Sequence, residues 1–428
     1  MVLRVTGVKM RGALLWIVCL AVASGLAGCG GGGGGGTRSS GDGWANLSPP
    51  IYTVEEAKQP AEWTVLVYLD ADNDLESAGI HNFNQMEVVG STQDVHVIVQ
   101  MDRRTGTDPN NEEWTDTRRY LITRDSDPLV MHSVRLDDPP LGELNMASGM
   151  TLRNFVQWGK REFAADHYLL VIWDHGSGWQ FRAMEFAPAY KYIAIDDTSG
   201  DEMNITAIPI ALTGLRMDVI AFDACYMQQL EVAYELRGCA DYMVGSTAAE
   251  PSPGYNYARL LSRMSGNDDA EQLARIIVQQ YAAEYPEPQD NITQSALDLG
   301  AIGDVAAAAS DFAGVLRPNA GNWSASLADA RSRSLDYAST GTRRYSLDLL
   351  DYAAKCAAVI GPAANASYTQ LQTSLGSAVV ASVHNSDMPN AHGLAIYVAP
   401  PANYDNSYQE LSLAHNTQWD EWLQDQQE

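Results

Sequence analysis

Near-continuous apolar runs recur along the chain at residues 63–69, 95–101, 168–173, 217–222, 242–246 and 393–398. Runs of this length, rich in β-branched residues and bounded by polar ones, suit strands buried on both faces, as in a parallel sheet. Between them, apolar positions recur with helical spacing over residues 75–89, 148–163, 205–215 and 226–236. Alternating strands and helices predict an α/β fold with a mostly parallel, doubly wound central sheet and helices on both of its faces. From about residue 291 the chain is alanine-rich and helical by pattern, over residues 293–316, 325–337, 347–359 and 368–380. Residues 291–428 are therefore expected to form a mainly helical C-terminal elaboration packed on a core of residues 61–290.

In doubly wound sheets, functional groups gather beyond the carboxyl ends of the strands. Three strand ends here carry polar chemistry. The first is Asp70-Ala-Asp-Asn-Asp-Leu-Glu76. Its alternating acids suggest a calcium loop, but an EF-hand needs Gly at the sixth place and Glu at the twelfth, where Leu75 and His81 stand. The segment reads instead as a polar turn and helix cap lining a cleft. The second is Val171-Ile-Trp-Asp-His175-Gly-Ser-Gly-Trp179, which delivers a histidine from an apolar strand into a Gly-x-Gly turn. Such a histidine is placed for general acid–base work. The histidines at 81, 96, 132, 167, 384, 392 and 415 have no zinc-like spacing, and no metal ligands are assigned. The third is Asp218-Val-Ile-Ala-Phe-Asp223-Ala-Cys225. It brings a cysteine to what reads as the start of a helix, where the N-terminus favours a thiolate. A buried, inert thiol is the commoner fate of a cysteine without a disulfide. However, His175 and Cys225 end successive parallel strands and are expected to be neighbours. Asp223 either caps the helix or faces the cleft.

The chain has 428 residues, of which 46% are hydrophobic, so global disorder is excluded. With 27 basic and 54 acidic side chains, its formal charge of −27 disfavours nucleic acid as a partner. At the N-terminus, Arg4, Lys9 and Arg11 precede an apolar run that ends in Leu26-Ala27-Gly28-Cys29. This reads as a signal peptide over residues 1–28 with a motif similar to the bacterial lipobox, in which Cys29 would carry lipid. The glycine run 30–36 and the Ser/Gly-rich chain after it predict a flexible tether over residues 29–60. Outside the signal and Cys29 three cysteines remain, Cys225, Cys239 and Cys356, an odd number that leaves at least one unpaired.

The segment from Trp63 to Glu76, together with Asp174-His175-Gly176-Ser-Gly-Trp179 and Asp223-Ala-Cys225-Tyr-Met-Gln-Gln-Leu-Glu231, resembles the clostripain family of cysteine peptidases, relatives of caspases, legumains and gingipains. The likeness extends through Asp196-Asp197-Thr-Ser-Gly-Asp201 and residues 345–352 to residues 393–400. It implies a caspase-like α/β/α sandwich, with residues 61–290 as the catalytic domain. Carried over by position, Cys225 would be the nucleophile and His175 its base. The backbone N–H groups of Gly176 and Cys225 would form the oxyanion hole. Asp223 matches a family position facing the first specificity pocket, which implies cleavage after Arg or Lys. Ser246, at the next strand end, is expected to contact substrate. Where relatives often carry Ser-Glu-Glu and a Gly-Trp-rich turn, this chain has Gly245-Ser-Thr-Ala-Ala-Glu250-Pro-Ser-Pro-Gly-Tyr255, with the acid displaced and the tryptophan missing. Some relatives are activated by self-cleavage between the His and the Cys, and Arg182 and Lys191 are the candidates here. No cofactor is implied, with calcium left open. The expected function is a lipid-anchored, extracytoplasmic endopeptidase acting on proteins or peptides. The alternative is a catalytically silent surface-binding lipoprotein on the same scaffold.

Overall fold

The computed structural model describes residues 52–105, 108–179, 193–286, 292–337 and 345–426. A one-turn helix α1 (Val54–Ala57) precedes β1 (Ala61–Ala71), α2 (Glu76–Glu87) and β2 (Val95–Arg103). Short strands β3 (Arg118–Leu121) and β4 (Val134–Arg135) lead to α3 (Gly149–Glu162) and β5 (Ala165–Trp173). A hairpin of β6 (Ile193–Asp196) and β7 (Asp201–Met203) is followed by α4 (Ala207–Ala211), β8 (Val219–Asp223), α5 (Leu230–Leu236) and β9 (Tyr242–Gly245). Helices α6 (Tyr257–Arg263) and α7 (Ala270–Glu284) precede β10 (Thr293–Asp298), α8 (Ile302–Leu316) and α9 (Ser324–Arg333). The chain closes with β11 (Ser346–Asp348), α10 (Leu349–Ile360), α11 (Asn365–Ala378), β12 (Val379–His384), β13 (Ala395–Tyr397), α12 (Ser412–Asn416) and α13 (Trp419–Asp425).

Nine strands form one sheet in the order β12-β10-β9-β8-β5-β1-β2-β3-β4. The five central strands, β9 to β2, run parallel, and the antiparallel pairs β10/β12 and β3/β4 flank them. Strand residues alternate between two cores because successive side chains point to opposite faces. Leu66, Tyr68, Leu170, Ile172, Ile220 and Phe222 join α3, α5, α8 and α10 on one face. Val65, Val67, Leu69, Leu169, Val171 and Ala221 join α2, α6 and α7 on the other. The expected α/β/α sandwich is what the chain forms. The order of the strands reverses between β1 and β5, and open α/β sheets bind ligands at the carboxyl ends beside such a switch point.

Two expected boundaries are corrected. The division at residue 290 does not separate a helical elaboration from the core. Residues 293–298 are strand β10, paired with β9 and β12, and the described residues belong to one compact unit. The helix expected over residues 293–316 begins only at Ile302, after Asp298 Oδ1 accepts the Gly300 N–H at 2.8 Å and turns the chain. The expected tether also ends before residue 60. Thr53 and Glu56 form a reciprocal capping box on α1, Ala57 is buried, and the Tyr52 hydroxyl lies 2.9 Å from His96 Nε2. The signal segment, Cys29, Arg182 and Lys191 lie outside the described residues. Among the described residues no helix is long and apolar enough to cross a membrane.

Candidate active site

Leu69 of β1 stands opposite Trp173 of β5, which in turn stands opposite Asp223 of β8. Three strands therefore end on one row, and the segments beyond them meet. The backbone N–H of Asp174 donates to the Asp223 carbonyl at 3.3 Å. One residue later, the His175 ring is largely buried and its Nε2 lies 2.7 Å from Asp74 Oδ1 on the loop after β1. Gly176 follows against the backbone of Cys225. A Cβ on Gly176 would sit 2.3 Å from the Cys225 carbonyl oxygen and 3.0 Å from its nitrogen, so only glycine fits. This contact brings the two expected oxyanion-hole residues together and sets His175 and Cys225 on adjoining turns.

Cys225 is half-buried, and Cys225, Cys239 and Cys356 form no disulfide. Burial pushes the Cys239 thiol up to about 11 and the Cys356 thiol up to about 12, which makes both poor nucleophiles near neutral pH. The expectation that Cys225 opens a helix is corrected. Tyr226 takes the left-handed region at φ 63°, and α5 starts only at Leu230. Cys225 therefore precedes the helix and is not part of its first turn. Instead the backbone N–H of Glu250 donates to Cys225 Sγ at 3.2 Å, which favours the thiolate directly.

A cavity of about 200 Å³ opens at this point, lined among others by Trp173, His175, Asp223, Cys225, Glu250 and Gly254. Asp223 does not cap a helix. Its Oδ1 accepts the Tyr255 N–H at 3.0 Å and its Oδ2 accepts the Tyr257 hydroxyl at 2.8 Å. Gly254, at φ 78°, lets the loop close over it, because a Cβ there would meet Asp223 Oδ1 at 2.2 Å. Burial raises the Asp223 carboxyl to about 7, opposed by its hydrogen bonds from Tyr257, Tyr255 and Glu250. Burial raises Glu250 well above the usual carboxyl range, and the neighbouring Asp223 adds to this. Two neighbouring carboxyls, both biased by burial toward the protonated form, thus stand at the wall of the cavity.

Ser246 is not brought to the cavity. It is fully buried, and its hydroxyl donates to the Ala248 carbonyl at 3.0 Å and lies 3.0 Å from Thr293 Oγ1, so the expected substrate contact is corrected. Asp74, Glu250 and Tyr257 were not singled out from the sequence. Glu250 was visible there as the displaced acid of the loop after β9. A separate carboxylate group could hold a metal ion. Asp72, Glu143 and Asp196 each offer an oxygen within 4.8 Å of the others. Asp72 Oδ1 is buried and faces no donor, and burial lifts Asp72 to about 6 and, helped by Asp72 and Asp196, Glu143 to about 7. Converging hard oxygens of this kind fit Ca²⁺.

The model of the clostripain family matches residues 67–425. The chain belongs to the clostripain family. Clostripain of Hathewaya histolytica is 29% identical over 227 residues, an alignment that spans 47% of this chain and 42% of clostripain. An inactive zymogen C11 protease from Parabacteroides distasonis shares the fold at a TM-score of 0.62 and 22% identity, covering 84% of this chain and 99% of that one. A secreted C11 cysteine protease from Bacteroides thetaiotaomicron, solved with an irreversible peptide inhibitor, gives 0.64 and 22% over the same shares of the two chains.

In this clostripain-family chain the buried carboxyls have a cost for stability. A carboxyl that holds its proton more tightly folded than unfolded destabilises the fold as pH rises from about 4, its unfolded value, through about 7. Asp223→Asn removes that burden while keeping a side chain of the same shape. The variant should melt above the wild type near pH 8 and lose that advantage near pH 4. Calorimetry showing a lower melting temperature for Asp223→Asn near pH 8 would contradict the assignment.

Proposed function

We propose that this chain is a cysteine endopeptidase that uses a His175/Cys225 dyad to cleave peptides after Arg or Lys. The observation that carries this reading is the single cavity lined by His175, Cys225, Asp223 and Glu250. The imidazole takes the thiol proton, and the thiolate attacks the scissile carbonyl carbon. Negative charge then develops on the carbonyl oxygen beside the Gly176 and Cys225 N–H groups. His175 returns the proton to the leaving amine. Water, deprotonated by the same ring, then cleaves the thioester and restores the thiol. A guanidinium or ammonium entering the cavity favours the ionised forms of Asp223 and Glu250 and pairs with their carboxylates. That a secreted relative takes an irreversible peptide inhibitor supports a peptide substrate.

A peptidyl electrophile with Arg before its reactive carbon should label Cys225 and spare Cys239 and Cys356. His175→Ala should slow that labelling by at least about 100-fold. Asp223→Asn should cut kcat/KM for Arg and Lys substrates by orders of magnitude while sparing alkylation by iodoacetamide. Labelling at the wild-type rate in His175→Ala would overturn the dyad, and no labelling at all would favour a silent binding scaffold. On a denaturing gel the active preparation should show a cut after Arg182 or Lys191, and an active single chain rules out self-processing.

The reading includes an extracytoplasmic location, with residues 1–28 as a signal and a lipid on Cys29 anchoring the protein to the membrane. Cys29→Ser should release the protein from membranes or stall its processing, and processing and fractionation identical to wild type would refute the anchor. We assign calcium, in this reading, to the Asp72, Glu143 and Asp196 group, where it would stabilise the fold outside the acyl-transfer steps. Millimolar Ca²⁺ should then raise the melting temperature, and Asp72→Asn should abolish the rise. A melting temperature indifferent to Ca²⁺ removes it from the reading.

A further inference from the structure

The polar turn Asp70-Ala-Asp-Asn-Asp-Leu-Glu76 stands out in the sequence, yet the dyad as described gives no task to the aspartate nearest the catalytic ring. Asp74 Oδ1 lies 2.7 Å from His175 Nε2 across a separation of 101 residues, the length of a charge-assisted hydrogen bond. We propose that Asp74 is the positioning residue of His175. It fixes the Nε2–H tautomer, leaves Nδ1 as the nitrogen that exchanges a proton with Cys225, and stabilises the imidazolium that forms with the thiolate. The inference rests on the His175/Cys225 reading and deepens it.

The surroundings distinguish this contact from a chance surface pair. Asn73 is buried, and its Nδ2 donates to Asp174 Oδ1 at 2.7 Å and to the Ile195 carbonyl at 3.0 Å. Its Oδ1 accepts the Leu75 N–H at 2.9 Å. The residue before Asp74 is thereby tied to the residue before His175, and the residue after Asp74 is held by the same side chain. The Asp197 N–H also donates to the Asp72 carbonyl at 2.9 Å, which ties the turn to the β6/β7 hairpin. On the far side, the contact of Gly176 with the Cys225 backbone fixes the ring's own turn. The backbone that carries each partner is therefore held by buried hydrogen bonds and close packing.

Among the described residues, the titratable groups around the ring include Asp74, Asp174, Cys225, Asp223 and Glu250. Burial raises the Asp174 and Glu250 carboxyls, and the two Asp174 oxygens are engaged by Asn73 Nδ2 and by the Ile195 N–H. Asp223 and Glu250 lie with the thiol at the cavity and bind the substrate cation in the proposed reaction. Asp74 is the carboxylate in direct contact with the imidazole. Its side chain is 57% exposed, so solvent screens the pair and the electrostatic part is modest. Orientation supplies the rest.

Asp74→Ala should lower kcat for an Arg substrate by about 10- to 100-fold, with KM within about twofold of wild type. Asp74→Asn keeps an acceptor but drops the charge, and should lose about fivefold, with Asp74→Glu restoring part of the rate. The carboxylate lies nearer to His175 than to the thiol, so its loss disfavours the thiolate–imidazolium pair. Loss of a negative charge also makes the thiol and the imidazolium both more acidic, so the midpoint of the iodoacetamide rate of Cys225 against pH should move down by about half a pH unit in Asp74→Asn. A kcat and a midpoint both unchanged in Asp74→Ala and Asp74→Asn would overturn the inference. So would a loss of kcat with an unmoved midpoint, the mark of a purely structural role. His175→Ala in the same alkylation assay reports on the dyad itself. Dependence on His175 without dependence on Asp74 defeats this inference alone, and loss of both dependences defeats the dyad as well.

Discussion

The shared register of β1, β5 and β8 is the constraint on which the site depends. Leu69, Trp173 and Asp223 stand in one row, and the turns that follow carry Asp74, His175 and Cys225 within five residues of it. Because side chains alternate across a strand, a slip of one residue would send every one of these groups to the opposite face. The two cores prevent the slip. Ile172 and Phe222 are locked into one apolar layer while Leu69, Val171 and Ala221 are locked into the other, so no shift leaves both layers filled. The turns beyond the strands can then be irregular, with Tyr226 held at positive φ, because the strands that deliver them are not.

The same strand ends concentrate carboxyls where water is scarce. Burial raises Asp70 and Asp174 well above their ordinary range, Asp102 to about 8 and Asp223 to about 7. Such groups weaken the fold at neutral pH, and the apolar layers on both faces offset them. A cation entering the cavity relieves part of this cost, because a charge fixed by the fold meets its partner in a poorly hydrated space. In the proposed reaction, selectivity for a basic side chain comes from carboxyls already in place and needs little rearrangement. Asp223 cannot turn away from the cavity while Tyr255 and Tyr257 hold both of its oxygens.

Strand-end logic made His175, Cys225 and Asp223 legible from sequence, because an apolar run names the strand and the next few residues name the rim. What failed were the features that depend on distant partners. The residues after Cys225 mimic a helix in pattern, and only the backbone contacts of Tyr226 with Ala248 and of Gln228 with Ser246 show why the helix starts late. Ser246 looked like a rim residue for the same reason as His175. Its hydroxyl turns inward because Thr293 lies 47 positions away in sequence but 3.0 Å away in space. Strand β10 was missed because Gln294 and Ser295 look solvent-facing and are in fact buried and hydrogen-bonded. Helix α7 was legible and overlooked, since Asp269 and Gln272 form a capping box ahead of a Leu273, Ile277 and Tyr281 stripe.

Strand β10 also changes what the C-terminal third of the chain is for. Thr293 Oγ1 accepts the N–H groups of Thr247 and Ala248 at 3.1 Å each, and Gln294 Nε2 donates to the Tyr255 hydroxyl at 2.8 Å. These bonds clamp both ends of the loop that carries Glu250 and Gly254 over Asp223. Gln228, three residues after Cys225, donates to the Ser295 carbonyl at 2.9 Å, and β12 covers the outer edge of β10. Strand β10 reinforces both ends of the loop, which also bond to the β8 end and the segment after it, and so helps to fix the Glu250 N–H that faces Cys225 Sγ. The wall of the cavity is thus made by residues beyond 290 acting on residues before it, and a boundary drawn there passes through the site.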